Sequence, residues 1–426
     1  MVSRPIRKFS PGEPTMQTVD LYDASTFERA IPHDYFRWLR ENEPVHWQPP
    51  RPLSTQVADL MQTEQRGFWA VSRYRDIVEI SLDQERFSSE RGTVLNNDLT
   101  EDRMAQLRLW MINQDAPRHT KLRKLINKGF TKRIVQQMDR HVRELSAGIV
   151  DRVARRGECD FVADVASELP LLVIAELMGC PVEDRTKLFN WSNQMIGFED
   201  PDFSNEMGAA DAMGEMFEYA GHLAQLRRND PREDLTSVLL GAEVDGERLD
   251  ELTFNMFFML LILAGNETTR NAISGGMLAL SEHPDQRSKL AQDLSLLPRA
   301  TEEILRYVSP VISMRRTATR DVELAGQKIA ENEKVVMFYP SANRDPEIFD
   351  RPDEFDITRD PNVHLAFGWG PHFCLGANLA RAEIRIVFSE LLTRLPDIEV
   401  CGPVRRLRSS TVNSIKSMPV RFTPES

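Results

Sequence analysis

Phe367-Gly368-Trp369-Gly370-Pro371-His372-Phe373-Cys374-Leu375-Gly376 is a glycine-punctuated stretch carrying one cysteine. Glycines on both sides of it let the backbone reach φ > 0 and approach a bulky ligand closely. Phe367 and Phe373 supply apolar walls that exclude water. From Ala377 the pattern Ala-Asn-Leu-Ala-Arg-Ala-Glu-Ile-Arg predicts a helix. Cys374 would then stand just ahead of a helix N-terminus, where the dipole and free N–H groups stabilise a sulfur anion. The stretch reads as a rigid loop that hands one thiolate to a metal.

The four cysteines lack CxxC spacing, which excludes a zinc knuckle or a disulfide framework. Cys159, Cys180 and Cys401 are expected to be small buried hydrophobes. Around Cys374, however, Phe-x-x-Gly-x-x-x-Cys-x-Gly resembles the cytochrome P450 superfamily of haem-thiolate monooxygenases. The resemblance implies that Cys374 is the proximal haem ligand, with Phe367, Gly368 and Gly376 forming the cofactor loop.

The 426 residues show no repeat or low-complexity linker; hydrophobic residues at 41% and charged at 28% suit an ordinary globular protein. A net charge of -12 argues against general nucleic-acid binding. Residues 1–19 read as a polar arm and 20–426 as one catalytic domain. The arm lacks a signal peptide's apolar stretch, and the longest apolar run, Met256–Gly265, is too short to span a bilayer. The expectation is a cytoplasmic monomer without a membrane anchor.

Along the chain, Thr26–Asn42 predicts one amphipathic helix, and Gly67–Tyr74 a strand beginning a small sheet. Phe87–Ile112 reads as a long irregular loop, which the resemblance places over the substrate pocket. His119 and Arg123, four apart on a helix begun near Pro117, share one face. Without the resemblance this is a solvated basic face; with it, both donate to haem propionates. From Arg118 to Arg133 there are seven Lys/Arg and no Asp or Glu: Arg118, Lys121, Arg123, Lys124, Lys128, Lys132 and Arg133. That block suggests a docking surface for an acidic ferredoxin. The middle third is helix after helix, and Trp191–Phe203 would roof the substrate.

Asp250–Glu282 predicts a helix capped by Asp250 and ended by His283-Pro284, about 50 Å long at 1.5 Å per residue. In its middle, Ala264-Gly265-Asn266-Glu267-Thr268-Thr269 sets a glycine and a polar cluster straight after an apolar run. Such local disagreement marks a functional site. The bland alternative is a threonine bonding back to the preceding turn and an acid reaching solvent. The motif is similar to the family's oxygen-binding groove, lined by Ala264 and Gly265; there Thr268 would hold oxygen and its water while Glu267 imports protons.

Glu303 and Arg306 lie three apart on one helical face. As the family's Glu-x-x-Arg pair they would brace the haem loop from behind. The family usually completes this network with the arginine of a Pro-x-Arg-Phe quartet. Here Pro352-Asp353-Glu354-Phe355 carries glutamate instead, leaving Arg344 or Arg359 as the third partner. Arg316, with Arg315 as fallback, and His372 would meet propionates.

The resemblance implies a mainly α fold with a smaller β region: a single triangular domain with a long helix over haem b. Electrons would come from NAD(P)H through a ferredoxin reductase and a ferredoxin, and O2 would be the co-substrate. Pocket candidates are Val94, Leu95, Trp110, Met195, Ile196, Leu261, Val311, Ile312 and Val412. The substrate is expected to be a small apolar molecule, hydroxylated at the terminal carbon of a methyl-branched lipid, isoprenoid or sterol side chain. Other regiochemistry on terpenes or secondary metabolites, and a non-catalytic haem-thiolate sensor, are the alternatives.

Overall fold

The computed structural model describes residues 19–50, 65–94, 96–127, 130, 132–197, 199–203, 208–244 and 246–426. Expectations for Leu95, Lys128, Phe198 and almost all of the arm fall outside them, as do those for the side chains of Lys132 and Arg133. Helices follow in the order α1 (Ala24–Arg29), α2 (His33–Asn42), α3 (Tyr74–Leu82), α4 (Glu101–Leu107), α5 (Arg118–Asn127), α6 (Lys132–Val153), α7 (Glu168–Leu177) and α8 (Arg185–Ile196). Then come α9 (Gly208–Asn229), α10 (Leu235–Gly241), α11 (Glu251–Glu282), α12 (Pro284–Gln292), α13 (Leu297–Val308), α14 (Tyr339–Ala342) and α15 (Ala377–Arg394).

Strands β1 (Val45–Gln48), β2 (Phe68–Val71), β3 (Phe87–Ser88), β4 (Ser313–Ala318) and β5 (Lys334–Phe338) form one sheet in the order β1-β2-β5-β4-β3. Only the β5–β2 pairing is parallel. A smaller hairpin pairs Arg405–Arg406 with Ile415–Ser417 near the C-terminus.

Helix α11 organises the rest. Asp250 caps it, its carboxylate accepting from Thr253 N at 2.7 Å. Its first half (Phe254, Phe257, Phe258, Leu260, Leu261, Ile262) packs with α7, α9 and α10 in one core. Its second half (Ala272, Ile273, Met277, Ala279, Leu280) packs with α6, α7, α13 and α15 in another. Each fully buried large apolar side chain contributes about 1.5–3 kcal/mol, so the helix is pinned at both ends. Residues 263–271 belong to neither core. The polar middle thus lies between two apolar anchors, and the helix runs through it unbroken.

Several expectations need correction. Thr26–Asn42 is two helices, not one: the chain turns extended at Ala30, and Pro32 precedes α2. The stretch from Phe87 to Ile112 is not wholly irregular, since α4 forms after Thr100 with Glu101 and Asp102 in its first turn, where negative charge meets the positive helix end. Cys401 is exposed, just past a two-residue strand, while Cys159 and Cys180 are buried as expected.

Candidate functional site

The cysteine loop is shaped by two left-handed glycines, Gly368 (φ +69) and Gly370 (φ +70). A Cβ on Gly370 would sit 2.6 Å from Ser81 O, so a side chain is excluded there as well as strained. Cys374 N donates to Phe367 O at 2.9 Å, closing the loop. The Gly376 N–H, at the N-cap of α15, reaches the Cys374 sulfur. Burial pushes the thiol up, opposed by that N–H and by Arg123 and Arg381. The net shift is upward, so the loop alone does not make the thiolate; a bound metal would. Cys374 is deep in the protein yet half-exposed, so the space it meets is internal.

A second group of candidate residues stands in the middle of α11. Ala264 is exposed and Gly265 and Thr268 are half-exposed, whereas Asn266, Glu267 and Thr269 beside them are buried. Spacing i, i+1, i+4 puts the three on one face. The Thr268 hydroxyl donates to Ala264 O at 2.8 Å, the back-bonded geometry of the bland alternative. That leaves its oxygen an acceptor. Glu267 does not reach solvent: only 2% exposed, it pairs with Arg270 and accepts from Ser414 Oγ at 3.0 Å. Arg270 in turn donates to Asn193 Oδ1 on α8 at 2.9 Å.

A cationic and imidazole cluster lies beside Cys374. The rings of His119 and His372 lie 4.1 Å apart, and His372 Nε2 meets Ser89 Oγ at 3.2 Å. Burial, then Arg123, lowers His119 to about 4; burial, then Arg316, His119 and Arg123, lowers His372 to about 2. Both imidazoles are neutral near pH 7. His119 is 2% exposed and neither ring nitrogen has a hydrogen-bond partner. Burial also lowers Arg123 and Arg316, opposed at Arg123 by Cys374 and at Arg316 by Tyr339 and Asp115. Arg315 instead turns to Asn97 O at 2.8 Å. Orphaned nitrogens beside two desolvated guanidiniums call for anionic acceptors, and the two propionates of haem fit.

Behind the loop, Arg306 is fully buried and gives both Nε and Nη2 to Glu303 at 2.8 Å. Its remaining donors take Asn343 O, Pro352 O and Glu354 O. The third partner is Arg359, with Nε 3.1 and 3.3 Å from the Glu303 oxygens; Arg344 goes to Asp353. Arg359 thus supplies the donor that the family's quartet arginine would give, while the quartet's own carbonyls, Pro352 O and Glu354 O, accept from Arg306.

Sequence reasoning missed Asn362, which donates to Glu303 at 3.0 Å, and the Glu302–Arg381–His364 group. His364 and Arg381 outweigh burial and hold Glu302 at about 2, and Arg381 lies over the Phe367 ring at 4.5 Å. The tandem Glu302-Glu303 was the available signal. Arg270 and Ser414 carried none without their partners.

Among the pocket candidates, Val311 and Val412 are bridged to each other, and Trp110 Nε1 lies 3.2 Å from Met256 Sδ. Trp110, Met195 and Leu261 share the core at the first half of α11, Ile196 ends α8, and Val94 is half-buried in the loop after β3. Ile312 is 1% exposed and faces the opposite side of the sheet, in a cluster with Phe36 and Phe338. In the basic block Arg118, Lys121 and Lys124 are exposed, whereas Arg123 is turned inward.

Residues 61–401 match the family model described as Cytochrome P450. The chain belongs to this family. It is 41% identical over 408 residues to a steroid C26-monooxygenase of Rhodococcus jostii, covering 95% of this chain and 84% of the relative. It is also 41% identical over 394 residues to a methyl-branched lipid omega-hydroxylase of Mycobacterium bovis, covering 91% and 90%. A Mycobacterium marinum cytochrome P450 solved with pseudoionone superposes with a TM-score of 0.88 at 37% identity, covering 96% and 100%. The protein is a P450 monooxygenase, and its family uses haem, O2 and electrons from NAD(P)H through redox partners. Among the described residues no helix is long and apolar enough to cross a membrane.

Proposed function

We propose that this P450 hydroxylates the terminal carbon of a methyl-branched aliphatic chain, on a sterol, an isoprenoid or a branched lipid. The observation that carries the reading is the open face of α11 at Ala264, Gly265 and Thr268, next to the apolar cluster of the helix's first half, in a chain so similar to hydroxylases named for such substrates. Haem b, held by Cys374 and by His119, Arg123, Arg316 and His372, would supply reductive activation of O2.

The chain's own residues prepare the rest. Thr268, its proton committed to Ala264 O, presents an oxygen lone pair that can accept from a water on the open face. Glu267 is the proton source, held off that face by Arg270 and Ser414. The exposed Arg118, Lys121 and Lys124 favour an acidic ferredoxin as the electron donor. One domain of residues 20–426, monomeric and cytoplasmic, is the form in which the enzyme would work.

Cholesterol and a methyl-branched fatty acid, added to the holoenzyme, should shift the haem spin state, and turnover should yield the terminal alcohol. Hydroxylation confined to the sterol rings or to unbranched methylenes would overturn the assignment.

A further inference from the structure

One buried lysine lies outside everything described so far. Lys334, at the start of β5, is 1% exposed in the middle of the five-stranded sheet. Its ammonium donates to Asp98 Oδ2 at 2.7 Å, Asn96 O at 2.9 Å and the Tyr22 hydroxyl at 3.0 Å. Tyr22 acts as acceptor here, because an ammonium can only donate, and the hydroxyl's single hydrogen has Gln65 Oε1, Arg66 O or Asn96 O within reach as its own acceptor. An ammonium has three donors and here meets three acceptors.

Two of those acceptors lie on the segment Asn96–Asp98, in the chain between β3 and α4. Asn96 Nδ2 donates to Ser313 Oγ, which donates to Ser410 O, and Ser410 N donates to Glu199 in the turn after α8. Upstream, the same stretch of chain meets the cysteine loop through Ser89 and His372. The segment thus touches the C-terminal turn and, through it, the roof.

We propose that Lys334 is the positioning residue for this segment, and that its protonated form is the one that holds Asn96 and Asp98 in place. A neutral amine has two N–H groups for three acceptors, so one acceptor is left unmet, and it carries no charge, so the Asp98 carboxylate is offset by Arg66 alone (N at 2.8 Å, Nη2 at 2.9 Å). The groups around Lys334 are Asp98 and Arg66 from the loops, Arg315 from β4, and Tyr22 with Asp20 behind it. Burial lowers Lys334 from 10.5 to about 7, opposed by Asp98 and reinforced by Arg315 and Arg66. The charged form therefore dominates below neutrality and is lost above it. Binding that requires the segment in place takes up a proton at Lys334 above pH 7, so affinity falls as pH rises, by at most about tenfold per unit.

The test is hydrogen exchange at the Asn96, Asn97 and Asp98 amides of the holoenzyme from about pH 6 to about pH 8, each rate divided by the intrinsic rate at that pH. Protection should fall with pH in the wild type, be low throughout in Lys334→Met and in Asp98→Asn, and stay level in Lys334→Arg, which remains charged. In parallel, the apparent Kd of cholesterol, neutral at every pH, should rise with pH in the wild type and not in Lys334→Arg. Wild-type protection that is level with pH, or wild-type protection in Asp98→Asn, overturns the proposal. If cholesterol gives no spin shift, the substrate reading fails while the exchange data still decide this one.

Discussion

Replacing Arg359 by alanine tests the brace behind the cysteine loop. Arg359 is 8% exposed at its side chain and meets Glu303, which is fully buried. Breaking a buried ion pair by removing one partner costs about 3–5 kcal/mol when the other charge is left uncompensated. Glu303 is not left so: it keeps Arg306 at 2.8 Å, Asn362 at 3.0 Å and the Asp356 N–H at 2.8 Å. The loss is then nearer one charge-assisted hydrogen bond, about 2–3 kcal/mol. The carbonyls of Asp350, Arg351 and Glu354 that Arg359 also holds are within reach of water and add little. That energy corresponds to a roughly 30- to 150-fold larger opened population. The assay is a urea titration of the reduced carbon monoxide difference band of the thiolate form, with Arg344→Ala as comparison. Arg344 contacts Asp353 and the Tyr307 ring and leaves Glu303 untouched, so its loss should cost about 1 kcal/mol or less. Equal midpoints for the two variants would refute the reasoning.

Thr268→Ala should still bind haem and carbon monoxide but release more peroxide per NADPH consumed; unchanged coupling would remove Thr268 from proton handling. Ser414→Ala frees one Glu267 oxygen while Arg270 keeps the other, so the solvent isotope effect on turnover should change with substrate Kd held constant. If both stay at wild-type values, Glu267 is not the proton source. Reduction by ferredoxin should slow as salt rises, and Lys121→Gln with Lys124→Gln should flatten that dependence; a rate indifferent to salt would exclude this face.

The features legible in the sequence were those carried by short spacing. The cysteine loop, the glycine and polar run inside α11, and the Glu303–Arg306 pair each place their residues within about one turn or one loop, so local geometry nearly determines what they do. The cap at Asp250 and the stop at His283 were readable for the same reason. What escaped depended on contacts distant in sequence. Ser414 reaches Glu267 across 147 positions and Asn193 reaches Arg270 across 77, and nothing local distinguishes that serine from its neighbours. The proton-importing role of Glu267 is readable from the motif, but its partners are not: Ser414 comes from the C-terminal strand region, and Arg270, on α11 itself, is held by Asn193 from α8. Ile312 packs away from Val311 for a simpler reason: in extended chain, successive residues face opposite sides, and the two join different clusters.

The series of hydrogen bonds from Asn96 through Ser313 and Ser410 to Glu199 bears on how this enzyme could be re-engineered. Four residues from four separate parts of the chain share one series of donors and acceptors; Asn96, Ser313 and Glu199 enter it by their side chains, so removing one of these leaves a neighbour unsatisfied, and Ser410 enters it through its backbone with its hydroxyl also on Glu199. Substitutions along it will not combine additively. A library that varies these walls one position at a time would discard variants that succeed only in pairs. Asn96 with Ser313, and Ser410 with Glu199, are the units to randomise together.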